Sequence, residues 1–119
     1  MAKAEKTFHG AELASRLQVL PGWREDGGTI RRDYATEGWP ATLMAANAIG
    51  FLAEAADHHP DLALSWGRLT VRLNTHSAGG ITDKDLELAR RIDDLALWRP
   101  GAGSALAGTR RTFVQPGEA

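Results

Sequence analysis

The chain contains no cysteine. Disulfides, cysteine-built zinc sites and thiol catalysis are therefore excluded. It has no excess of either charge: 14 Lys and Arg face 15 Asp and Glu, for a formal net charge of -1. That balance gives no electrostatic argument for a nucleic acid or an anionic membrane as partner. The pairs Arg31-Arg32, Arg90-Arg91 and Arg110-Arg111 are read as solvated surface, as short charge runs usually are. A long hydrophobic run is also missing. Ala41 to Ala56 is broken by Thr42, Asn47 and Glu54, and is shorter than the roughly 20 residues a membrane span needs. Met1 to Thr7 is short and charged, with no apolar signal core, so a cytoplasmic protein is expected. There is no internal repeat.

What is present is the composition of an ordinary globular domain. Of 119 residues, 43% are hydrophobic and 24% charged. One core at this length is feasible without disulfide or metal staples. Leu13, Leu17 and Leu20 share a face of a short helix over Ala11 to Leu20, which Pro21-Gly22 ends. Trp23 to Glu25 and Thr29 to Tyr34 read as a hairpin around Asp26-Gly27-Gly28. A second helix should run from Pro40 to Asp57, proline suiting its first turn. It is apolar almost all round (Leu43, Met44, Ile49, Phe51, Leu52) and so must be covered on more than one side. The sheet supplies one cover. A second helix or a second subunit supplies the other.

Asp61 to Trp66 reads as a strand, Gly67-Arg68 as a turn and Leu69 to Thr75 as a strand with Leu69, Val71, Leu73 and Thr75 on one face and Thr70, Arg72, Asn74 and, if it continues, His76 on the other. Thr82-Asp83-Lys84-Asp85 resembles a capping box opening a last helix, with Leu88, Ile92 and Leu95 on its buried stripe. The order is α-β-β-α-β-β-α, predicting a four-stranded antiparallel sheet with helices packed on one face, an α+β fold. An open sheet edge and the apolar helix together predict a homo-oligomer, dimer or tetramer. After Trp98 the periodicity stops. Residues 98–119 read as a C-terminal tail on a domain of residues 1–97, either docked through Trp98, Phe113 and Val114 or disordered.

Two of only four histidines are adjacent, at His58-His59-Pro60. Pro60 disfavours helix at the residue before it, so the pair should sit at the end of the second helix. Three roles compete. Adjacent ligands are poorly spaced for a metal, even if Glu54 joined them. Acid–base chemistry could use His58, His59 and His76, with Asp57, Glu54, Asp83 or Asp85 orienting them. A structural role at the helix C-terminus is the third.

A longer constellation separates these roles. Glu54, His58-His59-Pro60, Trp66, His76 and Asp85 follow one another with gaps of three, five, nine and eight residues. The third histidine lies in Thr75-His76-Ser77-Ala78-Gly79-Gly80-Ile81-Thr82. This pattern resembles the pterin-4a-carbinolamine dehydratase family. Leu20-Pro21-Gly22-Trp23 and Ile30-Arg31-Arg32-Asp33-Tyr34 are similar to its opening hairpin, so the likeness spans roughly Leu13 to Leu95.

The resemblance implies dehydration of a 4a-hydroxytetrahydropterin to the quinonoid dihydropterin, with no metal and no organic cofactor. It implies His58, His59 and His76 as the catalytic set, His58 and His76 being the acid–base pair and His59 positioning the substrate. It implies Asp57, Asn74, Thr75 and Ser77 at substrate-binding positions, Asp85 at the acidic position, and Trp23 as a wall of the pocket. For Asp85 a helix-capping role is equally expected, and for Trp23 a core role is the stronger expectation. The run from Trp98 to Thr109 also looks like the C-terminal segment of a dehydratase-like subgroup that serves as RuBisCO assembly factors of the α-carboxysome. That likeness implies RuBisCO subunits as partners and a non-catalytic alternative.

Overall fold

A computed structural model describes residues 5–117 of the chain. The sequence readings on the first four residues and on the last two lie outside it. Helix α1 (Gly10–Leu17) leads into strands β1 (Arg24–Asp26) and β2 (Thr29–Ala35). Helix α2 (Trp39–Ala56), strands β3 (Asp61–Ser65) and β4 (Arg68–Leu73), a 3-10 turn (His76–Ala78) and helix α3 (Asp83–Ala96) follow. The four strands form one antiparallel sheet in the order β1-β2-β4-β3. This is the predicted α+β order.

The alternation read from the sequence decides which face is buried. Ile30 and Tyr34 of β2 join Leu69, Val71 and Leu73 of β4 in the core, with Leu13, Ile49, Leu88 and Ile92 from the helices and Leu20 from the turn after α1. The opposite sheet face carries a lattice of charges. Arg31 bridges Asp26 and Asp33, Arg24 also reaches Asp33, and Arg72 reaches Asp26. Partial burial raises the pKa of Asp33, but hydrogen bonds from Thr70, Arg31 and Arg24 outweigh it and hold the carboxyl at about 2.

Several boundaries differ from the expectations, for local reasons. Helix α1 stops at Leu17 and residues 18–20 continue as turns, because Pro21 disfavours helical geometry just before it. The β3–β4 turn is Trp66-Gly67 rather than Gly67-Arg68, since Arg68 pairs with both Ser65 and Ala35. His76 leaves the strand for the 3-10 turn, while Thr75 makes one bridge with Gly80. Leu95 is 43% exposed. The buried stripe of α3 is Asp85, Leu88, Ala89 and Ile92, and the next turn turns Ala96 rather than Leu95 toward the core.

Ala41, Ala45, Ile49 and Ala53, four residues apart, form the buried line of α2. The other side of the helix is open in the single chain, with Met44 exposed and Phe51 79% exposed. The C-terminal segment is docked. Val114 is buried in the core and bridges Thr36 at the end of β2. Arg99 donates to the Val114 carbonyl and stacks on Phe113, and Arg111 pairs with Glu37. Trp98, expected to help, is instead 57% exposed.

Candidate active site

The end of α2 sets the position of His58. The His58 amide donates to the Ala53 carbonyl and the Asp57 amide to the Glu54 carbonyl, the paired bonds of a Schellman motif. Such a motif needs a left-handed residue, usually glycine. Here Asp57 takes it, at φ 52 and ψ 42. It is the only non-glycine residue with positive φ among the described residues. Aspartate tolerates the left-handed region better than most residues, so the corner forms without glycine. Pro60 then turns the chain into β3.

The start of α3 supplies the partner. Thr82 is the N-cap: its hydroxyl accepts from the Lys84 amide, and the Asp85 carboxylate accepts from the Thr82 amide. This is the capping box expected from the sequence, with aspartate in the place of the usual glutamate. The same carboxylate does more. Its Oδ1 lies 2.7 Å from His58 Nε2, and its Oδ2 accepts from the Thr75 hydroxyl at 2.7 Å. Thr75 and Thr82 hydroxyls are 2.7 Å apart. Asp85 is 0% exposed and Thr75 3%. A bare carboxylate at that depth would be very costly; three donors and the positive end of a helix offset the cost.

One hydrogen-bonded chain thus joins the corner after α2, the loop after β4 and the cap of α3. It ties His58 to the residue just before His76. His58 stays partly open and borders a cavity of about 510 Å³ between α2 and α3, which Leu52, Leu88, Lys84 and Arg91 also line. His59 is exposed and its Nε2 lies 2.8 Å from Glu54 Oε1. His76 and Ser77 are exposed on the 3-10 turn, and Asn74 is half-buried at the end of β4. Asp57 is exposed at the helix end.

Two residues expected at the substrate, Thr75 and Asp85, turn their side chains inward and use their polar atoms on each other, on Thr82 and on His58. Trp23 is a core residue, its indole N–H donating to Asp93 at 3.0 Å, and it does not line the cavity beside His58. Among the described residues no three His, Asp or Glu side chains come together as metal ligands could, and no helix is long and apolar enough to cross a membrane.

Sequence reasoning found Thr82 only as a cap and missed its bond to Thr75. The capping-box spacing was the available signal. It also missed Asp93, which gathers Trp23, Arg32 and Tyr34 from the hairpin. The charge of Asp93 and burial together push the Tyr34 hydroxyl's pKa far upward, burial being the larger cause.

Fold and site together define an antiparallel α+β domain whose helix-end histidine is backed by a buried carboxylate, an arrangement that can hold and move a proton. Residues 6–95 match the family model described as pterin 4 alpha carbinolamine dehydratase, and the chain belongs to that family. Curated relatives of the chain bear the name "Putative pterin-4-alpha-carbinolamine dehydratase". The one from Roseiflexus castenholzii is 42% identical over 88 residues, covering 74% of this chain and 95% of the relative. The one from Aquifex aeolicus is 44% identical over 84 residues, covering 71% and 85%. Among solved structures, the transcriptional coactivator/pterin dehydratase from Brucella melitensis superposes with a TM-score of 0.71 at 27% identity, over 76% of this chain and 99% of that one. A pterin dehydratase-like protein identified as a RuBisCO assembly factor in the alpha-carboxysome superposes at 0.55 with 22% identity, over 63% and 89%. That second likeness is one of fold.

Proposed function

We propose that this protein dehydrates a 4a-hydroxytetrahydropterin to the quinonoid dihydropterin. The observation that carries the reading is the His58–Asp85 pair, held at 2.7 Å within a member of the dehydratase family. Loss of the 4a-hydroxyl needs one proton delivered to the departing oxygen and one removed from a pterin nitrogen. His58 and His76 are the acid–base pair, and general acid–base catalysis of this kind contributes roughly 10²–10⁴-fold. His59 positions the substrate near the hydroxyl, and Asp57, Asn74 and Ser77 contact the pterin. Neither a metal nor an organic cofactor enters this scheme. The test is 4a-carbinolamine dehydration by wild type and by His58→Ala and His76→Ala. An inactive wild type, or two variants as fast as wild type, would overturn the reading.

The protein acts as a homo-oligomer, dimer or tetramer, through the open side of α2. Exposed Met44 and Phe51 on one helix face support this, because a contiguous apolar patch is usually a contact surface. Sedimentation should show an oligomer that Phe51→Glu shifts to monomer. A monomeric wild type would refute it.

A second reading is a role in assembling RuBisCO subunits, supported by residues 98–117, which lie beyond the family model yet pack onto the domain through Val114. Co-expression with RuBisCO subunits, with and without the residues after Leu97, tests it. An unchanged yield of assembled enzyme would exclude it.

A further inference from the structure

We infer that Thr75 and Thr82 are positioning residues that fix the tautomer of His58, making Nδ1 the ring nitrogen at which its proton comes and goes. The hydrogen count along the buried chain allows one assignment. The Lys84 amide can only donate, so the Thr82 hydroxyl oxygen accepts from it. As a carboxylate, Asp85 can only accept, so the Thr75 hydroxyl spends its single hydrogen on Asp85 Oδ2. Thr75 has none left for Thr82; across their 2.7 Å contact Thr82 therefore donates and Thr75 accepts. The Thr82 amide also donates to Oδ2. The remaining oxygen, Oδ1, faces His58 Nε2 at 2.7 Å, which must then carry a hydrogen. The neutral ring is protonated on Nε2, and Nδ1 is the free base. Among the described residues Nδ1 has no hydrogen-bond partner.

The directionality comes from the threonines. With both of its donors in place, Oδ2 is saturated and the carboxylate is locked about its side-chain torsion, presenting Oδ1 to the histidine. Without the Thr75 hydroxyl, Oδ2 keeps only the helix-cap bond, and the Thr82 hydroxyl loses its acceptor. The carboxylate can then rotate, and His58 loses its fixed partner. The shared hydrogens lie in the α3 cap, so the helix start and the site draw on the same carboxylate.

The experiment is long-range ¹H–¹⁵N correlation of the histidine rings in the full chain, at a pH where His58 is neutral, for wild type, Thr75→Val and Thr75→Ser. Wild type should show His58 protonated on Nε2. Thr75→Val should show a mixture of both tautomers, and Thr75→Ser, which restores the hydroxyl, should return the wild-type pattern. This arm does not depend on any activity. A kinetic arm rests on the dehydratase reading: Thr75→Val should lower kcat about tenfold, the loss of one such bond, with KM little changed and recovery in Thr75→Ser. A wild-type His58 protonated on Nδ1, or a folded Thr75→Val with an unaltered Nε2–H tautomer, would overturn the inference. If Thr75→Val does not fold, Thr75→Ala is measured in its place, with the same mixture expected and an unaltered Nε2–H tautomer overturning the inference. An Nε2–H ring in a protein without dehydratase activity would sustain the geometry and sink only the activity.

Discussion

Replacing Asp85 by asparagine should separate the site's chemistry from its stability. The aspartate accepts three hydrogen bonds, from His58, Thr75 and the Thr82 amide. Asparagine keeps one acceptor oxygen and gains an NH₂ that only donates. The oxygen side should stay with Thr75 and Thr82, where two donors already converge. The NH₂ then faces His58 Nε2, which must become an acceptor and move its proton to Nδ1. The cap survives, so the loss of charge-assisted bonding should cost about 1–2 kcal/mol. At this chain length that corresponds to a Tm lower by roughly 4–8 °C. The wrong tautomer is far more damaging to catalysis: a carboxylate-to-amide change behind a catalytic histidine costs up to about 10⁴ in rate. We expect kcat to fall at least about a hundredfold while the protein stays folded. Alanine is the poorer probe. It leaves the His58 and Thr75 donors and the Thr82 amide without partners, at about 1–3 kcal/mol for each group that stays buried, which approaches the whole stability of a domain. The assays are urea unfolding and initial rates of 4a-carbinolamine dehydration. A folded Asp85→Asn protein within about threefold of the wild-type kcat would refute the reasoning.

Gly22 sits at φ +92, and a Cβ there would lie 2.7 Å from Arg32 Cζ. Arg32 cannot retreat easily, being held by the Pro21 carbonyl and Asp93, so Gly22→Ala should destabilise by roughly 2–4 kcal/mol; a loss below about 1 kcal/mol by urea titration would contradict this. The depressed pKa of Asp33 makes a stabilising contribution that is full above its ordinary value of 3.8 and is lost as pH falls toward about 2. It amounts to roughly 2 kcal/mol. Asp33→Asn should flatten that part of the stability–pH curve, and an unchanged acid limb would argue against it. Val114→Ala should cost about 1–3 kcal/mol, as removal of buried methyl groups does, whereas Leu106→Ala on the exposed loop should leave the Tm unchanged; equal effects from the two would mean that the segment is not part of the cooperative unit.

The family and the element order were legible in the chain. Each depends on short-range rules: alternation in Leu69 to Leu73, the turn at Gly27-Gly28 (Asp26, expected in it, pairs with Thr29 instead), Pro60 ending a helix, Thr82 and Asp85 spaced as a cap. The departures came where neighbours compete. Leu95 and Ala96, three and four residues after Ile92, both fit the helical period, and the packing of the domain turned Ala96 rather than Leu95 toward the core. Trp98 stayed outside while Val114, sixteen residues later, filled the gap at the end of β2.

What the sequence by itself determined is the family, the order of elements and the set of polar residues they carry. Only the tertiary structure decided which of those residues meet. It drew Asp85 and Thr75 away from the solvent and into one network with Thr82, left His59 outside paired with Glu54, and gave His58 a buried carboxylate from a helix 27 residues away. The physical reason lies in the direction of hydrogen bonds. Spacing along a chain says which groups are present, but which atom donates to which depends on distances of about 3 Å between segments that meet only when the domain folds.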